Sequence, residues 1–282
     1  MARLQGPPPA TRSPRNRVRG LRAASPAAGT HQRWAWLGGL VGALGALAVF
    51  APAAWLASGM AYASNGQVLL AQPRGTVWHG SAQLVLTGGA QSKDATALPE
   101  RVLWTLWPSL RGLRGELLPV CCSAQPALML ASPRWGGGQL TVTALHLNLP
   151  AQLLTGLGTP WNTLNPQGQL AVVADSLSVQ WQQGHAQVEG SATIDLTNLS
   201  SPLSTLQPLG DYRVSLSGGA TPTLELQTLQ GALQLSGSGK WVGSRMQFTG
   251  EASAAPEREA ALNNLLNIIG RRQGAKSLMS IG

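Results

Sequence analysis

Charge is scarce in this chain and, over one long stretch, absent: residues 34–73 hold no Asp, Glu, Lys, Arg or His. Acidic residues are also missing from everything before that stretch, which carries Arg3, Arg12, Arg15, Arg17, Arg19, Arg22 and Arg33. The net charge of +9 is therefore a property of one end. With those seven arginines set apart, thirteen of the twenty basic side chains face all eleven acids, so residues 34–282 carry only +2. A near-neutral remainder lacks the basic footprint of a nucleic-acid binder, and no nucleic-acid partner is expected.

Cysteine is confined to the adjacent pair Cys121 and Cys122. Without C-x-x-C spacing or companion histidines, metal and thioredoxin-like chemistry are disfavoured. Two small buried thiols and an oxidised pair closing a turn are both compatible with the pair. The four histidines, His31, His79, His146 and His185, are widely spaced and form no H-E-x-x-H arrangement. No G-x-S-x-G nucleophile elbow occurs. Gly237-Ser-Gly-Lys240 looks like the end of a phosphate loop. However, Gln234 stands where the leading glycine is required and Trp241 replaces the Ser/Thr. It reads instead as a strand with small side chains on one face. No catalytic, cofactor-binding or metal site is predicted, no cofactor is called for, and the expectation is a non-enzyme. Ser238, His79, His185 and Lys240 are expected to be strand or turn residues.

What is present begins with the charge-free stretch. Trp34 to about Ala57 is apolar and long enough for a bilayer core, which takes roughly 20 helical residues. Trp34 and Trp36 at one end, and Trp55 and Tyr62 at the other, suit interfacial belts, and the arginine-rich flank stays cytoplasmic. The expected organisation is a disordered basic tail over 1–33, a transmembrane helix over 34–60 and an extracytoplasmic β domain over 61–282. That makes the chain a single-pass membrane protein with membrane lipid as a partner. Ala61-Tyr62-Ala63 has the form of a signal-peptidase site, but the apolar run exceeds the 7–15 residues usual for a signal peptide, so an uncleaved anchor is preferred.

After Gly75 the chain is a row of short alternating segments. Ala82, Leu84 and Leu86 share a face, as do Val102, Trp104 and Leu106. Leu140 and Val142 are followed, one residue out of phase, by Leu145, Leu147 and Leu149. Leu170 and Val172 precede a similar slip to Leu177, Val179 and Trp181. Slips of this kind predict bulges. After a turn at Gln183-Gly184 come Val188, Ala192, Ile194 and Leu196; Tyr212, Val214 and Leu216; Leu224 and Leu226; Leu233 and Leu235; Met246 and Phe248. Such spacing predicts a mainly β protein: an antiparallel meander forming an elongated curved sheet or groove. Trp78, Trp104, Trp181 and Trp241 are expected to point into its core. Leu149–Gly158 allows one or two helical turns. Pro256–Gly270 predicts a C-terminal amphipathic helix with Pro256 at its first position and Leu262, Leu265, Leu266 and Ile269 buried.

Gly75-Thr-Val-Trp-His-Gly80, Leu149-Pro-Ala151, Ser201-Pro-Leu203 and Leu209-Gly-Asp-Tyr212 form an ordered set of motifs. Leu226-x-Thr228-x-x-Gly231-x-Leu233, Gly237-Ser-Gly239, Gly250-x-Ala252 and Ile268-Ile-Gly-Arg-Arg272 continue it. Across roughly residues 35 to 280 this set resembles type II secretion system protein N, the general secretion pathway N family, and distantly the AsmA-like proteins. The resemblance implies an accessory inner-membrane subunit that supports transport of folded proteins from the periplasm across the outer membrane. It also implies other inner-membrane and periplasmic secretion-system subunits as partners, reached through sheet edges or the groove rim. Proline at Val214 is expected to disrupt such an edge. The AsmA-like side of the resemblance implies the alternative, a groove that binds or transfers lipid. Each motif also has a structural reading, with Trp78 packed inward and Asp211 making turn hydrogen bonds.

Overall fold

The computed structural model describes residues 31–182, 185–242 and 245–281. The basic tail lies outside these residues except for its last three positions, and so does the Gln183-Gly184 turn. The chain divides into two units, Met1–Ala48 and Val49–Gly282. The first is represented by helix α1 (His31–Val49), whose apolar side chains from Trp34 onward are exposed.

The single helix expected over 34–60 is divided. Helix α1 ends at Val49, and α2 (Ala53–Ala63) starts after Pro52, which has extended geometry (φ −69°, ψ 146°). The sheet takes the backbone groups that a continuous helix needs. The Ala51 carbonyl accepts from Val77 N–H at 2.8 Å, and Pro52, which has no N–H, bridges Thr76. Among the described residues no helix is long and apolar enough to cross a membrane.

The second unit is one open antiparallel sheet of fourteen strands. They are β1 (Val68–Gly75), β2 (His79–Thr87), β3 (Ala95–Ser109), β4 (Gly112–Pro119), β5 (Ala127–Arg134), β6 (Gly137–Pro150) and β7 (Gln167–Gln182). The rest are β8 (His185–Ser200), β9 (Gly210–Gly219), β10 (Thr223–Gly231), β11 (Leu233–Val242), β12 (Arg245–Ala254), β13 (Arg271–Gln273) and β14 (Lys276–Ile281). Each strand pairs with the next, as the meander reading requires, until β14 inserts between β12 and β13. Two connections carry helices: a 3-10 segment (Ala151–Leu157) with α3 (Trp161–Leu164), and α4 (Glu259–Ile269).

Helix α4 starts three residues later than expected. Pro256 lies in the preceding turn, and Glu257 there has φ +66°. Its predicted stripe holds, with Leu262, Leu265 and Leu266 buried and Ile269 packed beside them. The phase slips are real. Ala144 (φ +55°) interrupts β6, and the β7–β8 register shifts between Val173 and Ser176, where β6 and β7 step together. Both apolar runs of each strand thereby stay on one face of the sheet.

The registers align that face across all fourteen strands. Ala82 opposes Val102, Trp104 opposes Leu117, Met129 opposes Val142, and Leu140 opposes Val179. Val172 opposes Ile194, which opposes Val214, which opposes Leu226. Large side chains find room over glycines: Trp104 covers Gly80 and Phe248 covers Gly237, positions where an added Cβ would collide with the ring, and Phe248 also lies close over Gly239.

Three buried clusters lie on this face, all near its two flanks. Ala53 of α2 joins Ala82, Trp104 and Leu106, while Leu153 of the 3-10 segment joins Leu98, Val102 and Cys122. At the other flank α4 covers Leu209, Tyr212, Leu233 and Ala252.

Candidate functional site

The opposite face is polar and carries nearly all of the sheet's charge. Among the described residues, the ionisable side chains on the apolar face are the phenol of Tyr212 and, at the far edge beside α4, Arg272, which opposes Ser277 and donates to Asn263 Oδ1 at 3.0 Å while its Nη1 is buried without a partner. Tyr212 donates to the Leu233 carbonyl at 2.9 Å, and Ser277 donates to Leu266 at 2.6 Å. Thr228 donates to the Leu235 carbonyl (2.8 Å) and accepts its N–H (2.6 Å), patching the ladder where the register shifts. The polar face holds the charged pairs, including the two-pronged contact of Arg213 with Asp195 at 2.7 and 2.8 Å. Hydrogen bonding from Arg213 holds the Asp195 carboxyl below its ordinary value. Burial, reinforced by the nearby Asp211 charge, pushes the Tyr212 phenol well above its ordinary value.

Between the flanks the apolar face is bare. Leu140, Val142, Leu177, Val179, Ile194, Val214, Leu216 and Leu224 belong to none of the three buried clusters, and none of them is buried. Trp181 points to this face in the expected phase but keeps 46% of its surface exposed, so its predicted place in a core does not hold. The reason is that a side chain is buried only by something laid over it, and the covering helices sit at the flanks. Trp104 is buried, Trp78 packs against the same cluster and Trp241 is half-buried. With neighbouring strands about 4.8 Å apart, the uncovered stretch from β5 to β10 is about 24 Å wide.

The sheet's edges are poor platforms for strand addition. β1 carries Pro73 and the left-handed Gln72 (φ +48°), and β13 has only three residues. Val214 is not at an edge, because β9 lies between β8 and β10.

Several of the sequence motifs turn out to be joints. Gly75–Gly80 is the connection between β1 and β2. There His79 N–H donates to Thr76 Oγ1 (3.1 Å), Leu106 N–H to the Trp78 carbonyl (2.6 Å) and Trp104 Nε1–H to the Val77 carbonyl (3.0 Å). Asp211 acts across strands, accepting from Asn198 N–H (2.7 Å) at a bulge in β8 and from Gln230. Ser201 donates to the Leu164 carbonyl. Gly210 and Gly231 let two backbones pass where a Cβ on either would collide. Gly237-Ser-Gly-Lys240 lies within β11 as a strand.

Cys121 and Cys122 form a disulfide with each other, beside the cluster of Leu98, Val102 and Leu153. His79 and His146 are exposed on the polar face, and the side chain of His185 lies outside the described residues. Among the described residues no three His, Cys, Asp or Glu gather where a metal ion would fit.

The feature that sequence reasoning missed is the division of one face into covered flanks and an open middle. Its signal was present, in that the helical segments read from the sequence precede β1, separate β6 from β7 and follow β12. No curated protein and no solved structure matches the chain. A family model described as Type II secretion system (T2SS), protein N matches residues 66–278, the sheet from the start of β1 to β14. The chain belongs to the type II secretion system protein N family.

Proposed function

We propose that this protein is an accessory inner-membrane subunit of the type II secretion system, supporting the passage of folded proteins from periplasm to exterior through surfaces and not through chemistry. The family match over residues 66–278 carries the reading. Family membership implies contact with other secretion-system subunits, and the joint-like roles of the family's motifs fit a scaffold. The charge-free segment from Trp34 holds the chain in the membrane, with the arginine-rich tail cytoplasmic and the sheet periplasmic. Cleavage after Ala63 is disfavoured, because it would remove Ala53 and Leu56 from the cluster around Trp104. Deleting the protein should leave folded exoproteins trapped in the periplasm, with export into the periplasm intact. Normal secretion in the deletion strain would refute the assignment.

One observation favours a second reading, a lipid-binding groove. The open middle of the apolar face has no charge and is about 24 Å wide. One leaflet's hydrocarbon is only roughly 15 Å deep, half the core thickness, so an extended acyl chain has room there. Stoichiometric phospholipid recovered by solvent extraction of the purified protein supports this reading. Lipid-free protein that secretes normally in cells opposes it.

A further inference from the structure

The β meander has two ends, and they differ. At one end lie the connections β3–β4, β5–β6, β9–β10 and the Gly75–Gly80 joint. Their tips carry Leu110 and Trp135, both fully exposed, with Trp181 and Val242 half-exposed at the adjoining strand ends. Cations stand beside these apolar tips: Arg111 beside Leu110, Arg134 beside Trp135, and Arg245 at the start of β12 after Val242. Arg74 and Lys240 occupy neighbouring strand ends. The nearest acids, Glu116, Glu189 and Glu225, sit inside their strands, opposite Thr105, Ser178 and Ser238. The other end is mixed in charge, with Asp94, Glu100, Asp211, Glu257 and Glu259 among Lys93, Arg258, Arg271, Arg272 and Lys276.

Fully exposed Trp and Leu beside arginine is an unfavourable pattern in water. It suits a lipid interface, where indole rings lie at head-group depth and guanidinium groups meet lipid phosphates.

The chain itself brings this end to a bilayer. Ala51 and Pro52 are bound to Val77 and Thr76, at the same end as those tips. Only Phe50, Ala51 and Pro52 separate α1 from α2. Three residues reach at most about 11 Å. If the apolar α1 is embedded, the joint has no slack to carry this end of the sheet away from the head groups. The charge-free helical part, Trp34–Val49, is about 24 Å long at 1.5 Å per residue. That is short of a core of about 30 Å, and such a mismatch draws flanking residues toward the bilayer.

We propose that this row of strand ends, led by Leu110-Arg111 and Arg134-Trp135, is a membrane-contact rim that seats the sheet on anionic phospholipid. The inference rests on the membrane anchoring proposed above.

The test uses the full chain in vesicles of mixed phosphatidylcholine and phosphatidylglycerol. The described cysteines are both in the disulfide, so an added cysteine is the reactive thiol. Leu110→Cys and Trp135→Cys carry spin labels at the rim, and Leu229→Cys carries one toward the other end of β10. The rim labels should be several-fold less accessible to a water-soluble nickel chelate than the label at 229. Combining Arg111→Glu, Arg134→Glu and Arg245→Glu should return them to water. Circular dichroism of each labelled variant, matched to the parent chain, keeps misfolding from imitating either result. Equal accessibility at all three positions, in protein that floats with the vesicles, would overturn the rim. Protein that does not float would overturn the anchor as well.

Discussion

Raising the pH should unlock the sheet at Tyr212, and the size of the effect follows from where that residue lies. Tyr212 is 1% exposed beneath α4, its hydroxyl donating to the Leu233 carbonyl at 2.9 Å. Ionisation there would place a phenolate in an apolar cluster and remove the donated hydrogen bond. The folded phenol therefore holds its proton well above the ordinary value, through burial first and the Asp211 charge second. A phenol whose folded pKa is raised contributes stability that is fully present below the unfolded value of about 10. That contribution is lost as pH rises from there through the folded value. Above pH 10 the unfolded chain binds one proton fewer at this site, so stability should fall by about 1.4 kcal/mol per pH unit, or roughly 2–3 kcal/mol by pH 12. A loss of that size is a large part of a typical domain's 5–15 kcal/mol. The chain has only two tyrosines, so a Tyr62→Phe background makes Tyr212 the sole reporter. In that background tyrosinate absorbance should appear together with loss of the β circular dichroism signal. The pH slope in urea unfolding should flatten when Tyr212→Phe is added. Tyrosinate absorbance rising in the still-folded protein would refute the reasoning.

Leu265→Ala, under α4 in a cluster held by strand ladders, should cost about 2–5 kcal/mol in urea unfolding. Trp181→Ala on the open face should cost only about 1–2 kcal/mol, because nearly half of the side chain is already in water. Asp195→Asn should lower stability slightly near neutral pH, since Asp195 and Arg213 are both partly exposed. The depressed Asp195 pKa makes its contribution present above the unfolded carboxyl value of about 3.9 and lost as pH falls through the folded value. The mutant and parent stability curves should therefore converge in acid, and curves that stay parallel would exclude that linkage.

The antiparallel order and the apolar face were legible because the period-2 pattern survives even where bulges shift it, as at Ala144. Strands β4 and β5 were harder to read, since their apolar face is built partly from Gly115, Ala127 and Ala131, which contrast little with their neighbours. β1 was hidden inside the charge-free stretch, and β13 and β14 are short. The break at Pro52 depends on bonds from Ala51 and Pro52 to residues 77 and 76, a pairing that no local pattern reveals. The exposure of Trp181 was not legible for a related reason. Alternation shows which face a side chain takes, while burial depends on what is folded over it, and here the covering helices stay at the flanks.

A subunit that works through surfaces, as proposed above, should depend on its open apolar face and on no single polar group. The direct measurement is secretion of a folded exoprotein by cells carrying Val142→Glu or Thr143→Glu in place of the parent chain, with protein abundance matched by immunoblot. Val142 lies on the uncovered apolar face opposite Met129, and Thr143 lies next to it on the polar face opposite Leu128. Val142→Glu should block secretion at normal abundance, while Thr143→Glu should secrete normally. Equal secretion by the two variants at matched abundance would contradict that dependence.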